Sequence, residues 1–255
     1  QRGGIQPAAA LQARLGVSAP TLSRRIADAG DAVIAIGQGR ARAYGWLRTV
    51  RGLPPHIPLF IIDANGQTHV WGTLSMVHGG SVITRTDAHG KSTQYAYDDL
   101  PWFIQELRPQ GFLGRQWVRD HADLGLPPSL NLWQNDDALW ALALRGDDLH
   151  GNLIIGTVAL ERFNQELPAL MLEHGERLAR YDEFANQALQ GEAPGSSVGG
   201  EQCKFAVDVA QTGERRAVLV KFSTHDTAEL GRRWSDLLIC EYLALQVLGA
   251  HGLPV

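Results

Sequence analysis

The sequence predicts an α+β chain built in three successive parts, and three observations point to it. Residues 1–51 carry two short helical patterns separated by a turn, followed by a small hairpin pattern. Alternating apolar residues between Gly-containing turns then run to about Tyr97, the signature of antiparallel strands. Near the end, a Gly-Ser loop leads into two apolar strands and an oily helix. The parts are bounded at 1–51, 52–120 and 121–255.

Bulk composition excludes several classes. Of the 255 residues, 44% are apolar and 20% charged, the balance of a soluble globular protein. No apolar run approaches the ~20 residues that cross a bilayer, so no membrane partner is expected. No basic segment followed by an apolar core marks a secretory leader, and a cytoplasmic location follows. Cys203 and Cys240 give neither a disulfide framework nor a Cys-x-x-Cys pair, and the nine histidines lack ligand spacing, so no metal site is expected. The chain starts on Gln1 and stops at Leu253-Pro-Val255, which reads as cut at both ends.

The first part is basic. Its eight arginines stand against Asp28 and Asp31, a net +6, whereas the remainder sums to −10. A basic head on an acidic body predicts a polyanion partner for the head alone. Pro7–Gly16 reads as an amphipathic helix with Leu11 and Leu15 on one face. Ser18 caps a second helix that begins at Ala19-Pro20, turns Leu22 and Ile26 inward, and ends at Gly30. Asp31–Ile36 and Ala41–Trp46 then read as strands around Gly37–Arg40, completing a winged helix-turn-helix pattern. In such a head the second helix enters the DNA major groove and the wing touches the flanking backbone. Thr21 and Ser23 suit phosphates or base edges, Arg24 and Arg25 suit guanine or phosphate, and Arg40 and Arg42 suit phosphates or the minor groove. A plain helix pair with solvated arginines has the same local pattern; the charge excess and the hairpin favour DNA.

In the middle part, Leu59–Ile62 and His69–Leu74 flank Asp63-Ala-Asn-Gly66, and Ser81–Arg85 and Ser92–Tyr97 flank Asp87-Ala-His-Gly90. Both are hairpin signals. Beyond them, Pro101–Leu107 and Asp136–Arg145 read as helices, Leu153–Leu160 as a strand and Leu167–Leu189 as a longer helix. Asp147 and Asp148 read as a solvated, backbone-capping turn rather than an acid/base pair.

The chemistry lies in the last part. Pro194–Lys204 is rich in Gly and Ser, so its backbone N–H groups are free to approach phosphate oxygens. It runs into the strand Lys204–Val209 and, through Gln211–Glu214, into Ala217-Val-Leu-Val-Lys-Phe222. Glu241 follows on the oily helix Trp234–Leu248, where a carboxylate calls for a lysine partner. Loop, strand lysine and helix glutamate form the front half of a kinase-type nucleotide site, an incomplete kinase-like N-lobe. Generic phosphate motifs do not match the loop, and a strand lysine can also snorkel to the surface.

These stretches, with Gln110–Arg115 and Arg145–Gly156, resemble the HipA-like serine/threonine kinases of bacterial toxin–antitoxin systems, and the fused head resembles their YjjJ (HipH) type. The resemblance covers nearly the whole chain. It implies that Gly199 and Gly200 cover ATP phosphates within an ATP-binding set completed by Lys204 at the loop's end, Lys221 on the phosphates and Glu241 holding Lys221. It also implies that Ser197 is the autophosphorylated loop serine, whose phosphate would expel the loop from an anion site. ATP and Mg²⁺ would serve the intact enzyme, with a protein as phosphoryl acceptor and an antitoxin as partner, a role the fused head would otherwise fill. Cys203 stands where the family more usually has proline or glutamate. The family's catalytic aspartate and its metal-holding asparagine and aspartate have no counterpart before Val255, so no catalytic residue is assigned and this chain alone is not expected to turn over or to need a cofactor. The alternatives are a DNA-binding regulator with a non-catalytic body and a small-molecule kinase with the same lobe design.

Overall fold

A computed structural model describes residues 4–165, 171–190, 200–211, 214–223 and 229–254. In chain order, β1 is Gln6–Pro7, α1 Ala8–Leu15, α2 Ala19–Ala29, β2 Val33–Ile36 and β3 Ala43–Trp46. Then come β4 His56–Ile62, β5 Thr68–Val77, β6 Gly80–Thr86, β7 Ser92–Tyr97, α3 Trp102–Gln105 and α4 Gly111–Asp120. They are followed by α5 Asn135–Arg145, β8 Leu153–Ile155, α6 Thr157–Gln165, β9 Met171–Leu172 and α7 Arg177–Gln190. The last elements are β10 Lys204–Gln211, β11 Glu214–Lys221 and α8 Glu229–Ala250. The chain is a mixed α+β protein, and it divides into two compact units.

The first unit contains residues 1–108, 133–147 and 151–165. Its centre is a sheet in the order β7-β6-β5-β4-β8, every pair antiparallel. Two turns of one design hold the hairpins. The Asp63 carboxylate accepts from the amides of Asn65 and Gln67, and Asp87 accepts from His89 and Lys91 in the same way. Gly66 (φ 76°) and Gly90 (φ 79°) take the left-handed turn positions, which cost a Cβ-bearing residue energy. Leu59, Leu74, Met76 and Ile83 are buried on β4, β5 and β6, and Val82 is buried on the opposite face of β6 from Ile83. Phe103 of α3 stands edge-on to Trp71 and Tyr97 of the sheet, at 5.8 and 6.3 Å.

The head belongs to this unit. β1, β3 and β2 form a small antiparallel sheet. The chain leaving β3 pairs with β5, because Arg48 N–H donates to the Met76 carbonyl and His78 N–H to that of Trp46, both at 2.9 Å. Ile36 and Leu47 pack with Val77 and Val82 in one buried cluster. Gly45 lies so close that a Cβ there would meet Val77 Cγ1 at 2.9 Å. Gln94 of β7 ties the other side, donating to the Ala35 carbonyl and accepting from the Gly37 amide.

Arg48 adds a fixed charge pair. Its guanidinium meets both carboxylate oxygens of Asp136 at 2.7 Å and donates to the Val77 carbonyl. The Asp136 hydrogen bond is the main cause holding the guanidinium above its ordinary pKa. Arg48→Ala leaves that carboxylate and carbonyl unmatched and is expected to destabilise the unit by about 1–3 kcal/mol. Arg48→Lys keeps the charge but loses the two-pronged geometry, and is expected to recover less than half of this in thermal melts.

Two segments depart from the sequence reading. The strand predicted at Leu153–Leu160 stops at Ile155, because Gly156 (φ 82°) turns the chain into α6. The helix predicted at Leu167–Leu189 begins only at Arg177, and Met171–Leu172 is a strand, β9. Asp147, read as a solvated cap, is mostly buried against Arg162, its Oδ1 2.9 Å from Nε.

The second unit contains residues 109–132, 148–150 and 166–255. Its sheet runs β11-β10-β9, antiparallel between β10 and β11 and parallel between β10 and β9. Phe184 and Tyr181 of α7 pack edge-on against Phe205 of β10, and Leu172 and Val209 complete this small core. Helix α8 leaves Leu237, Ile239, Tyr242, Leu243, Leu245 and Val247 exposed. Among the described residues, no helix is long and apolar enough to cross a membrane.

Candidate functional site

Two places gather the residues singled out by sequence. In the second unit, β10 and β11 pair so that Lys204 faces Lys221 directly across the ladder. Two ammonium groups on adjacent strands repel unless an anion joins them. Lys221 reaches α8 and forms an ion pair with Glu241. The glutamate is not buried as its apolar surroundings in the sequence suggested: its side chain keeps 42% of its exposure. Lys204 is buried at 3% exposure. Burial first, and the charge of Lys221 second, hold its ammonium below the ordinary lysine value of 10.5.

The end of the Gly-Ser loop is seated beside these lysines. Gly200 takes φ 101°, and a Cβ on it would lie 2.8 Å from Lys204 Nζ. Its carbonyl accepts from Phe112 N–H at 2.9 Å, in the first turn of α4. Gly111 (φ 64°) makes this approach feasible, since a Cβ there would fall 2.3 Å from the Gly200 oxygen. Glu201 pairs with Arg115 of the same helix at 2.6 Å. Sequence reasoning singled out Gln110–Arg115 only through a resemblance and gave it no role; its two glycines in six residues were the available signal. Gly199 and Ser197, both assigned to the loop, lie outside the described residues. Cys203 is half-buried, and desolvation raises its thiol pKa, which makes it a poor nucleophile.

The second place is the helical head. Ser18 caps α2, its Oγ accepting from Thr21 N–H at 3.4 Å and lying 3.0 Å from Thr21 Oγ1. The Thr21 hydroxyl is therefore engaged in the cap. Ser23 and Arg24 are exposed on α2. Arg40 sits on the tight turn between β2 and β3, Arg42 just after it, and both are exposed. Arg25 is also exposed, but it lines the groove between α1, α2 and the small sheet. Among the described residues, no group of His, Cys, Asp and Glu side chains is placed to hold a metal ion.

Residues 53–164 match the family model described as the middle domain of YjjJ-like toxins. Over 253 residues, 98% of its length, the chain is 35% identical to Toxin YjjJ of Escherichia coli strain K12. No solved structure matches the chain. The chain spans 56% of that relative's length, a little over half.

Proposed function

We propose that the chain is the front portion of a HipA-like serine/threonine kinase of the toxin type, carrying a DNA-binding winged helix-turn-helix head. The observation that carries the kinase half is the Lys221–Glu241 ion pair, joining a hairpin strand to the helix that follows it. That pair, beside a second lysine and a glycine-lined loop end, is the arrangement by which a kinase lobe orients nucleotide phosphates. The donor set fits ATP: Lys204 and Lys221 are direct cross-strand partners, and Lys204 Nζ lies against the Gly200 backbone at the loop end. When bound with Mg²⁺, the nucleotide would supply the transferable γ-phosphoryl group. Lys221 would neutralise phosphate charge, Glu241 would hold that lysine in place, and the ordered Gly200–Glu201 step would position the loop above. The acceptor would be a serine or threonine of a protein, with the catalytic groups supplied by sequence outside residues 1–255. Ser197 is the proposed autophosphorylation site. The exposed apolar face of α8 suits a helix that a second lobe covers in the longer protein.

The decisive test is the intact mass of the protein translated from its full reading frame, before and after Mg-ATP. Gain of phosphate, mapped to the loop, supports the reading. A full-length protein that binds no ATP and takes up no phosphate overturns it and leaves the DNA-binding regulator.

DNA binding is supported by the capped α2 with Ser23 and Arg24 exposed, by Arg40 and Arg42 at the wing, and by the +6 charge of residues 1–51. Arg40→Ala and Arg42→Ala are each expected to lower the salt dependence of DNA affinity by about one unit of slope, with little change in preferred sequence. Arg24→Ala is expected to relax preference at one base position and cost about 1–3 kcal/mol. An unchanged slope in all three variants, measured by titration across salt, would remove the head from the DNA interface. A cytoplasmic location and an antitoxin partner belong to the same proposal.

A further inference from the structure

The turn between β2 and β3 carries Arg40 and ends at Arg42, and both of its feet are tied down. Gly37 packs against the returning chain, since a Cβ on it would lie 3.1 Å from the Ala41 carbonyl oxygen. Within the turn, Ala41 N–H donates to the Gln38 carbonyl and Arg42 N–H to that of Gly39, at 3.2 and 3.3 Å. At the second foot, the Arg42 carbonyl accepts from Ala8 N–H at 2.8 Å, so the start of α1 pins that end. The tie at the first foot comes from the five-stranded sheet. Gly37 N–H donates to Gln94 Oε1 at 3.0 Å, and Gln94 Nε2 donates to the Ala35 carbonyl at 3.1 Å.

Strand register places Gln94 where it can do this. On β7, Ala96 stands opposite Val82 and Gln94 opposite Thr84. Two residues apart on one strand, Ala96 and Gln94 share a face. Val82 belongs to the buried cluster with Ile36 and Leu47, so this is the face that the head covers. A glutamine amide carries a donor and an acceptor together. In a parallel ladder, one residue bonds to a carbonyl and an amide two residues apart on its neighbour. The Gln94 amide meets the Ala35 carbonyl and the Gly37 N–H in that pattern, and stands in for one residue of a strand beside Ile36.

We infer that Gln94 is a positioning residue for DNA binding: from the five-stranded sheet it fixes the turn that presents Arg40 and Arg42, and the affinity those arginines supply depends on it. The role presupposes a DNA-binding head. A loop already held in one conformation loses less freedom when its side chains meet phosphates, so more of their attraction appears as affinity. Gln94 acts through the backbone of Ala35 and Gly37 rather than on the nucleic acid. The DNA-reading part is therefore not complete at residue 51, because the residue that sets its turn lies 57 positions after Gly37.

The test is a double-mutant cycle in residues 1–255, with a mixed-sequence DNA duplex as the probe at one low salt concentration. Gln94→Met keeps the length of the side chain and removes both hydrogen bonds; Gln94→Ala is the second variant, used if the first melts early. Gln94→Met is expected to weaken DNA binding by about five- to tenfold, but by less than about twofold in an Arg40→Ala, Arg42→Ala background. The Gly37 amide should exchange about tenfold faster in the variant. Equal loss in both backgrounds overturns the inference, since Gln94 would then touch DNA itself or hold the head as a whole. No loss in either background overturns it too, as does a Gly37 amide already unprotected in the parent. A parent that binds no DNA sinks the DNA-binding reading together with this role, whereas a binding parent with a silent Gln94→Met sinks the role alone.

Discussion

Lys221→Met in the full-length protein is expected to lower the rate of ATP-dependent autophosphorylation by about 10²–10³-fold, the loss seen when a preorganised charge on a reacting anion is removed. The reason is geometric as well as electrostatic. Lys221 is held by Glu241 from α8 and stands opposite Lys204, so its ammonium is directed to one place rather than sampling many. Glu241→Gln is expected to act in the same direction and more weakly, because the lysine keeps its charge and loses its tether. Neither change should move the melting temperature much, since Lys221 and Glu241 are partly exposed and such pairs contribute about 0–1 kcal/mol. The melt separates a functional from a structural role. A variant that melts normally yet phosphorylates at the parental rate would sink the assignment of Lys221.

Gly111→Ala is the second large effect. The new Cβ would stand 2.3 Å from the Gly200 carbonyl oxygen, on a residue held at φ 64°. The left-handed conformation costs a Cβ-bearing residue about 1–2 kcal/mol. Losing the Phe112–Gly200 hydrogen bond adds about 1 kcal/mol. The expected outcome is a second unit destabilised by about 2–3 kcal/mol, or a loop end expelled from α4. Hydrogen exchange at Phe112 distinguishes the two, because expulsion deprotects that amide while the β10–β11 hairpin stays protected. In the full-length protein the same change should weaken ATP binding without touching either lysine. Normal stability together with full Phe112 protection would show that the loop end is not seated through this contact.

Local features were legible in the chain. Asp63-Ala-Asn-Gly66 and Asp87-Ala-His-Gly90 announced their hairpins because aspartate capping and glycine at positive φ are settled within five residues. The Ser18 cap and the Gly16 and Gly30 stops of the two head helices were readable for the same reason. The error at Leu153–Leu160 came from an apolar run that reads equally as strand or helix. What decided it was Gly156, whose amide donates to the Pro58 carbonyl of β4 while its backbone turns into α6.

Lys204, Lys221 and Glu241 could be picked out because a charge inside an apolar strand or helix conflicts with its setting. The juxtaposition of the two lysines follows from hairpin register, a short-range property, whereas Glu241 reaches Lys221 from α8. The seating of Gly200 on Gly111 joins residues 89 apart in sequence, and neither glycine alone signals the other. The same holds for Gln94, which grips β2 and the turn after it from the far edge of the sheet, and for Arg25, whose place on the groove side of α2 depends on how α1 and the small sheet pack around it. The sequence by itself thus determined the α+β character, the turns, the caps and the charged residues that stand out in apolar elements, all consequences of backbone preference and side-chain type over a few neighbours. Only the tertiary structure decided which of those residues meet and which apolar surface is left uncovered, because such contacts depend on packing between segments that share no local pattern.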